Sequence, residues 1–242
     1  MRAPTLPGWH PGAVSENDPS REAAATAALE RIEPGMTIGL GSGRAVWRTM
    51  ELARERWPEG PSVRAAFASD RTAELGRQLG FAAIELNGER VLDVAIDGAD
   101  EVDGDLGLVK GGGAALLREK LVVYAAERFV VVAEARKRVE RLGQSFPLPV
   151  EVVRFGWPGT RRRVLDLVPE AELRTVDGVP LVTDEGHHLL DCKLPAEGDL
   201  HELAAAIKAT VGVVEHGLFL GVADEVLLGR PDGTVEELRR GS

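Results

Sequence analysis

The chain has 242 residues, 44% of them hydrophobic and 28% charged, which is enough to bury a core of domain size and excludes a wholly disordered segment. Its net charge of -10 excludes nucleic acid as the main partner, because a phosphate backbone calls for lysine and arginine; one small phosphate can still be held by a few local donors. Cys192 stands alone, which excludes an internal disulfide and a cysteine-based metal cluster and fits a cytoplasmic setting.

Residues 1–20, rich in proline, glycine and small polar types, read as a flexible extension rather than a signal peptide. No apolar run reaches the ~20 residues of a membrane helix, so no membrane partner is expected. Residues 21–33 predict an alanine-rich helix that Pro34-Gly35 stops. Met36 to Leu40 predicts a short strand opening into Gly41-Ser42-Gly43, followed by a helix over 45–56. The alternation recurs as a strand over 63–68, a helix over 71–79 closed by Gly80, and a strand over 91–96 running into Asp97-Gly98-Ala99-Asp100. After Gly111-Gly112-Gly113 come a helix over 114–127 and a strand over 129–133. Strands alternating with helices imply an α/β fold with a mainly parallel sheet, whose ligands bind beyond the C-terminal strand ends.

From Pro147 the pattern changes. Strands over 151–155, 172–176, 180–183 and 188–191 surround Asp177-Gly178 and Glu185-Gly186, as in antiparallel hairpins, with helices over 161–167 and 200–210. This predicts a smaller α+β lobe at 147–212, inserted into a catalytic domain made of 21–146 and 213–242.

Three segments could carry chemistry. In GLGSGRAV, residues 39–46, a glycine-rich turn leads from strand to helix and lets backbone N–H groups approach an anion. It fits neither the dinucleotide fingerprint nor a P-loop, and read alone it serves equally as a tight turn without a ligand. DGADEVDGD, residues 97–105, fails the calcium-loop pattern, since Leu108 and Ala114 stand where glycine and glutamate belong. Asp103 and Asp105 read as a solvated turn, whereas Asp97 and Asp100 follow an apolar strand and are suited to passing protons between hydroxyls. In KGGGAALLREK, residues 110–120, Lys110 precedes three glycines that are costly to order, so the backbone must come close to something such as an oxyanion or phosphate. By pattern alone Glu119 reads first as a surface glutamate paired with Arg118 and Lys120. Lys137, in a basic cluster after the 129–133 strand, reads either as a solvated cation or as one that reaches a phosphate. His187, His188, His201 and His216 show no ligand spacing and read as structural or surface groups.

The segments AIDGADEVDGDLGLVKGGGAALLREK (95–120) and FPLPVEV (146–152) closely resemble the A type of ribose-5-phosphate isomerase, as do GLGSG (39–43) and GVVEHGLFLGVADEVLLG (212–229). The resemblance implies a Rossmann-like domain with a ferredoxin-like lobe, a homodimer or homotetramer, and interconversion of ribose 5-phosphate and ribulose 5-phosphate with no metal or other cofactor. By position it makes Glu119 the proton acceptor and sets Asp97 and Asp100, with Gly98 and Ala99 between them, at the substrate hydroxyls. It brings Lys110 with Gly111, Gly112 and Gly113 to the substrate, makes Lys137 a substrate-binding lysine, and sets Ser42, Gly43, Arg44 and Ala45 at the phosphate- and sugar-contacting turn. The family turn usually reads Gly-Thr-Gly-Ser-Thr, so Arg44 and Ala45 depart from it, and Arg21 stands where some members carry a lysine. Two alternatives remain open at this point: the same reaction on another sugar phosphate, and a non-catalytic sugar-phosphate sensor.

Overall fold

The computed structural model describes residues 18–88 and 91–241. The expectation for residues 1–17 lies outside the described residues. The elements in chain order are α1 (Pro19–Leu29), β1 (Thr37–Leu40), α2 (Arg44–Arg56), β2 (Arg64–Phe67), α3 (Asp70–Gln78), β3 (Ala82–Ala83), β4 (Val94–Asp97), β5 (Glu101–Val102), β6 (Leu108–Val109), α4 (Leu116–Tyr124) and β7 (Phe129–Glu134). They continue with β8 (Leu148–Val152), α5 (Trp157–Val164), β9 (Glu170–Leu173), β10 (Thr175–Val176), β11 (Val179–Pro180), β12 (His188–Lys193), α6 (Leu200–Ala209), β13 (Val213–His216), β14 (Leu218–Phe219), β15 (Glu225–Gly229) and β16 (Val235–Arg239).

The large sheet runs β16-β15-β7-β4-β1-β2-β3. Every neighbour in it is parallel except β16 against β15. Strands β1, β4 and β7 are buried throughout, as expected of apolar strands covered by helices on both faces. The chain first builds outward from β1 through β2 to β3, then returns to β4 and builds the other way. This Rossmann-like order opens a crevice beyond the strand ends between β1 and β4. Helix α2 buries Val46, Trp47, Met50 and Ala53 at helical spacing, sealing one face of the sheet together with α1. Asp18 caps α1 by accepting from the Ser20 and Arg21 amides, so residues 19 and 20 belong to a helix and not to the expected extension. Among the described residues no helix is long and apolar enough to cross a membrane.

The lobe is a four-stranded antiparallel sheet, β13-β8-β12-β9, built in the order strand, helix, strand, strand, helix, strand. That is the ferredoxin-like arrangement. Its sheet takes in Val213–His216, so the expected boundary at 212 falls one strand short: Val213 and His216 pair with Val152 and Val150. The stretch expected as strands over 172–176 and 180–183 instead ends β9 at Leu173 and forms a small separate hairpin, β10–β11. Its turn residues Asp177 and Gly178 adopt φ of 52° and 78°, as a two-residue hairpin turn requires. Strands β5, β6 and β14 form a third small sheet, and β6 delivers the chain to Lys110.

Candidate active site

Beyond the ends of β1, β4 and β7 lies a crevice of about 100 Å³. That is short of the ~300 Å³ at which drug-sized pockets begin, so it suits a compact polar molecule. All the substrate-contacting and catalytic residues expected from the sequence line it except Asp97, which lies directly beneath: Ser42, Gly43, Arg44, Ala45, Gly98, Ala99, Asp100, Lys110, Gly111, Gly112, Gly113, Glu119 and Lys137.

At its closed end the Lys110 ammonium sits 2.9 Å from Asp97 Oδ2 and 3.2 Å from Glu119 Oε2, and donates to the Gly98 carbonyl at 2.5 Å. Glu119 is 3% exposed and does not pair with its sequence neighbours, contrary to the surface reading of its pattern. Arg118 turns instead to Asp70, Asp184 and Glu185, and Lys120 to Glu215. Asp97 Oδ1 accepts from the Ser42 and Gly98 amides at 3.1 and 2.7 Å. Among the described residues Asp97 Oδ2 and Glu119 Oε2 find no well-aligned hydrogen bond and are held by the charge of the ammonium.

Two carboxylates facing one ammonium in a buried site leave an excess negative charge that burial opposes. Burial pushes Glu119 up to about 8, the Asp97 charge adds to the rise, and Lys110 opposes it. Asp97 is likewise raised by burial, against Lys110 and its two backbone hydrogen bonds. Burial alone would lower Lys110, but the carboxylates of Asp97 and Glu119 outweigh it and hold the lysine above its ordinary value. The cluster can therefore accept or give a proton near neutral pH with Lys110 charged throughout.

Gly41 admits this geometry: a Cβ there would lie 1.9 Å from the Asp97 Cγ. Toward the mouth, Asp100 Oδ2 accepts from the Gly112 amide at 2.7 Å, and the Lys137 ammonium donates to the Ala99 carbonyl at 2.6 Å, 3.9 Å from Asp100 Oδ1. Helix α2 starts at Arg44 behind Gly43, whose φ is 111°, and no side chain caps it. Its first amides and the exposed Arg44 thus stand at the mouth with no acceptor among the described residues, an arrangement that attracts an anion.

Glu134, not among the residues expected from the sequence, also lines the crevice. It is the last residue of β7, one position beyond the strand end expected at 133. Its carboxyl meets Arg21 at 3.2 Å and Arg136 at 3.6 Å. It is held below the ordinary glutamate value because Lys137, its own backbone amide, Arg21 and Arg136 together outweigh burial. Arg21, buried on α1, also contacts Asp18 at 3.4 Å.

Known proteins are similar to this chain in sequence and in fold. The family model for Ribose 5-phosphate isomerase A (phosphoriboisomerase A) matches residues 65–233. The chain is 46% identical over 230 residues to the Ribose-5-phosphate isomerase A of Synechococcus sp. (strain JA-3-3Ab), covering 94% of this chain and all of that one. To the protein of that name from Roseiflexus castenholzii it is 48% identical over 219 residues, covering 89% of this chain and 94% of that one. Among solved structures, ribose 5-phosphate isomerase from Plasmodium falciparum superposes with a TM-score of 0.86 at 30% identity, over 92% of this chain and 98% of that one. A D-ribose-5-phosphate isomerase in complex with phospho-erythronic acid gives 0.85 at 34% identity, over 91% and 97%. With its fold and most of its length in common with these proteins, the chain belongs to the ribose 5-phosphate isomerase A family.

Proposed function

We propose that this chain interconverts D-ribose 5-phosphate and D-ribulose 5-phosphate through an enediolate, with Glu119 as the base. The reading rests on one observation: Glu119, buried and raised to about 8, shares the Lys110 ammonium with Asp97 at the closed end of a crevice whose mouth carries Arg44 and Lys137. With the sugar closed into its ring, Asp97 and Asp100 move the C1 hydroxyl proton to the ring oxygen as the C1–O bond breaks. In the open aldehyde, the Glu119 carboxylate takes the C2 proton; the C2–H electron pair becomes the C1–C2 double bond and O1 becomes an oxyanion. Lys110 and the amides of the glycine turn neutralise that charge. Glu119 then returns its proton to C1 while the O2 proton passes by way of Asp97 and Asp100 to O1, leaving the ketone at C2. The phosphate lies at the mouth, against the α2 amides, Arg44 and Lys137.

Phospho-erythronic acid, bound by one of the structural relatives, supports the same reading, because its planar carboxylate has the shape and charge of the enediolate end. The decisive experiment is Glu119→Gln in a ribose 5-phosphate assay. We expect kcat to fall by about 10³ or more with the phosphate still bound. Turnover near the wild-type rate would remove Glu119 as the base. Arg44 favours one second reading, the same reaction on another sugar phosphate, since its long charged side chain stands where the family keeps a small residue. A panel of phosphorylated sugars decides between them: turnover confined to a sugar other than ribose 5-phosphate would displace the first. Assembly as a homodimer or homotetramer belongs to the proposal, supported by Leu121 and Tyr124, which are 58% and 70% exposed on one helix. Light scattering that found a monomer at working concentration would remove that part. A cytoplasmic location, read by cell fractionation, belongs to it too.

A further inference from the structure

The turn Gly111–Ala114 carries three consecutive glycines, whose backbone has the widest choice of conformation. The Gly111 carbonyl accepts from the Ala114 amide at 3.0 Å, closing a four-residue turn with Gly112 and Gly113 in the middle. The peptide joining them can flip between two turn types, because the type II form needs a positive φ at its third residue, which glycine adopts without strain. Gly113 does not have a positive φ here, so the turn stands in the other orientation.

One side chain of the lobe reaches both carbonyls of this turn. Arg174 Nη1 donates to Gly111 O at 2.8 Å and to Gly112 O at 3.3 Å. The guanidinium is anchored by Asp191, to which Nε donates at 3.0 and 3.2 Å and Nη2 donates as well. The Gly111–Gly112 peptide is thereby held at both ends, its carbonyl by Arg174 and its N–H by Asp100. The Gly112–Gly113 peptide is held at the carbonyl alone. In a trans peptide the carbonyl and N–H point opposite ways, so the Gly113 N–H is turned away from Arg174, and Gly113 itself lines the crevice. Among the described residues that N–H has no hydrogen-bond acceptor.

We propose that Arg174 is a positioning residue for the isomerisation. It selects the orientation of the Gly112–Gly113 peptide in which an N–H, rather than a carbonyl oxygen, meets the developing oxyanion. Arg174 does not touch the sugar; it acts from the lobe through the turn. The flipped peptide would set an oxygen dipole against the enediolate charge. The inference rests on the enediolate reading above.

The test compares wild type with Arg174→Met, Arg174→Lys and Asp191→Asn, the last keeping the guanidinium but loosening its anchor. Folding is checked by circular dichroism and melting. Loss of one preorganised oxyanion donor lowers kcat about 10² to 10³-fold in other enzymes. We expect a kcat loss of about 10 to 100-fold in Arg174→Met with KM within about threefold, since the donor acts only when charge develops. Affinity for phospho-erythronic acid should fall along with kcat, affinity for inorganic phosphate should not, and added guanidinium should restore part of the turnover. Asp191→Asn should move in the same direction by less, and it decides the matter by the same split if the Arg174 variants do not fold. Wild-type kcat in a folded Arg174→Met chain would overturn the inference, as would equal losses of phosphate and phospho-erythronic acid binding. If the wild type itself did not isomerise ribose 5-phosphate, the enediolate reading would fall. Unchanged phospho-erythronic acid binding in Arg174→Met would then separately overturn the role of Arg174.

Discussion

Where the crevice closes over Asp97, Lys110 and Glu119, three charged groups are each no more than 3% exposed, whereas at its mouth Arg44 is exposed and Asp100 and Lys137 are half-buried. The two ends work by different physics. In the sealed end water cannot screen the charges, so each group resets its neighbours' proton affinity and one proton becomes movable near neutral pH. At the mouth the two cations, Arg44 and Lys137, stay hydrated and act by ordinary attraction, which suits holding and releasing a phosphate, while Asp100 serves the hydroxyls. Bond making belongs to the first end and retention to the second, so damage to each should show in a different kinetic constant.

The sealed end should break most easily at Gly41. A Cβ there would lie 1.9 Å from the Asp97 Cγ and Oδ1, too close for either to remain in place. Gly41→Ala should therefore displace Asp97, lower kcat by about 10² or more, and cost the ~1–3 kcal/mol of an overpacked site. A steady-state assay with a denaturant titration reads both; wild-type kcat would mean that Asp97 can move without consequence. The same end sets the pH dependence. Glu119 works as the ionised base, and burial has raised it to about 8, so kcat/KM should fall about tenfold per pH unit on the acid side of that value. The limb belongs to the Asp97–Glu119 pair, and it should vanish in Glu119→Gln. An acid limb near the ordinary glutamate value of 4.5 would show that the end is not sealed when substrate arrives.

The same contrast explains what could be read from the chain beforehand. Strand-turn-helix alternation was legible because β1, β4 and β7 are short apolar runs, each followed by glycines or aspartates at the strand end. The partner of Glu119 was not. Lys110 approaches it from a different element, while adjacent Arg118 and Lys120 suggest a surface ion pair that helix geometry forbids, since consecutive side chains point about 100° apart. A signal was present nonetheless: Leu116, Glu119 and Val123 are buried at i, i+3 and i+7, so Glu119 lies on the apolar stripe of α4. Glu134 escapes the pattern because the apolar run that marks β7 stops at Ala133, one residue before the strand's only acidic position. Arg174 carries no local signal, because its role depends on how the lobe docks against the glycine turn. The boundary at 212 failed similarly, since nothing local says which sheet Val213–His216 will join.

At the mouth, Lys137→Ala should raise KM about tenfold with kcat within a few-fold, the size of one charge-assisted hydrogen bond lost at a partly exposed site. Arg44→Ala should raise KM by a smaller factor, about threefold, because Arg44 is exposed and its charge is screened. Inhibition by inorganic phosphate should weaken by the same factors, and added salt should raise the wild-type KM more than that of either variant. A fall in kcat at constant KM in Lys137→Ala would move that lysine to the other end of the crevice.

The smallest effect is on stability, and its sign follows from the raised value of Glu119. In the unfolded chain the carboxyl titrates near 4.5, and in the folded chain near 8. Between these values the folded state binds the proton that the unfolded state has released, so the contribution is complete below 4.5 and is lost as pH climbs toward 8. Above 8 the native chain carries an ionised, buried and incompletely paired carboxylate, which opposes folding. Glu119→Gln removes that group while leaving Lys110 its contact with Asp97. The variant should unfold at higher denaturant than wild type at pH 9, by about 1 kcal/mol or more, with the gap narrowing toward pH 5. Equal stabilities across that range would mean that the sealed end opens to water without substrate, and the contrast between the two ends would then arise only on binding.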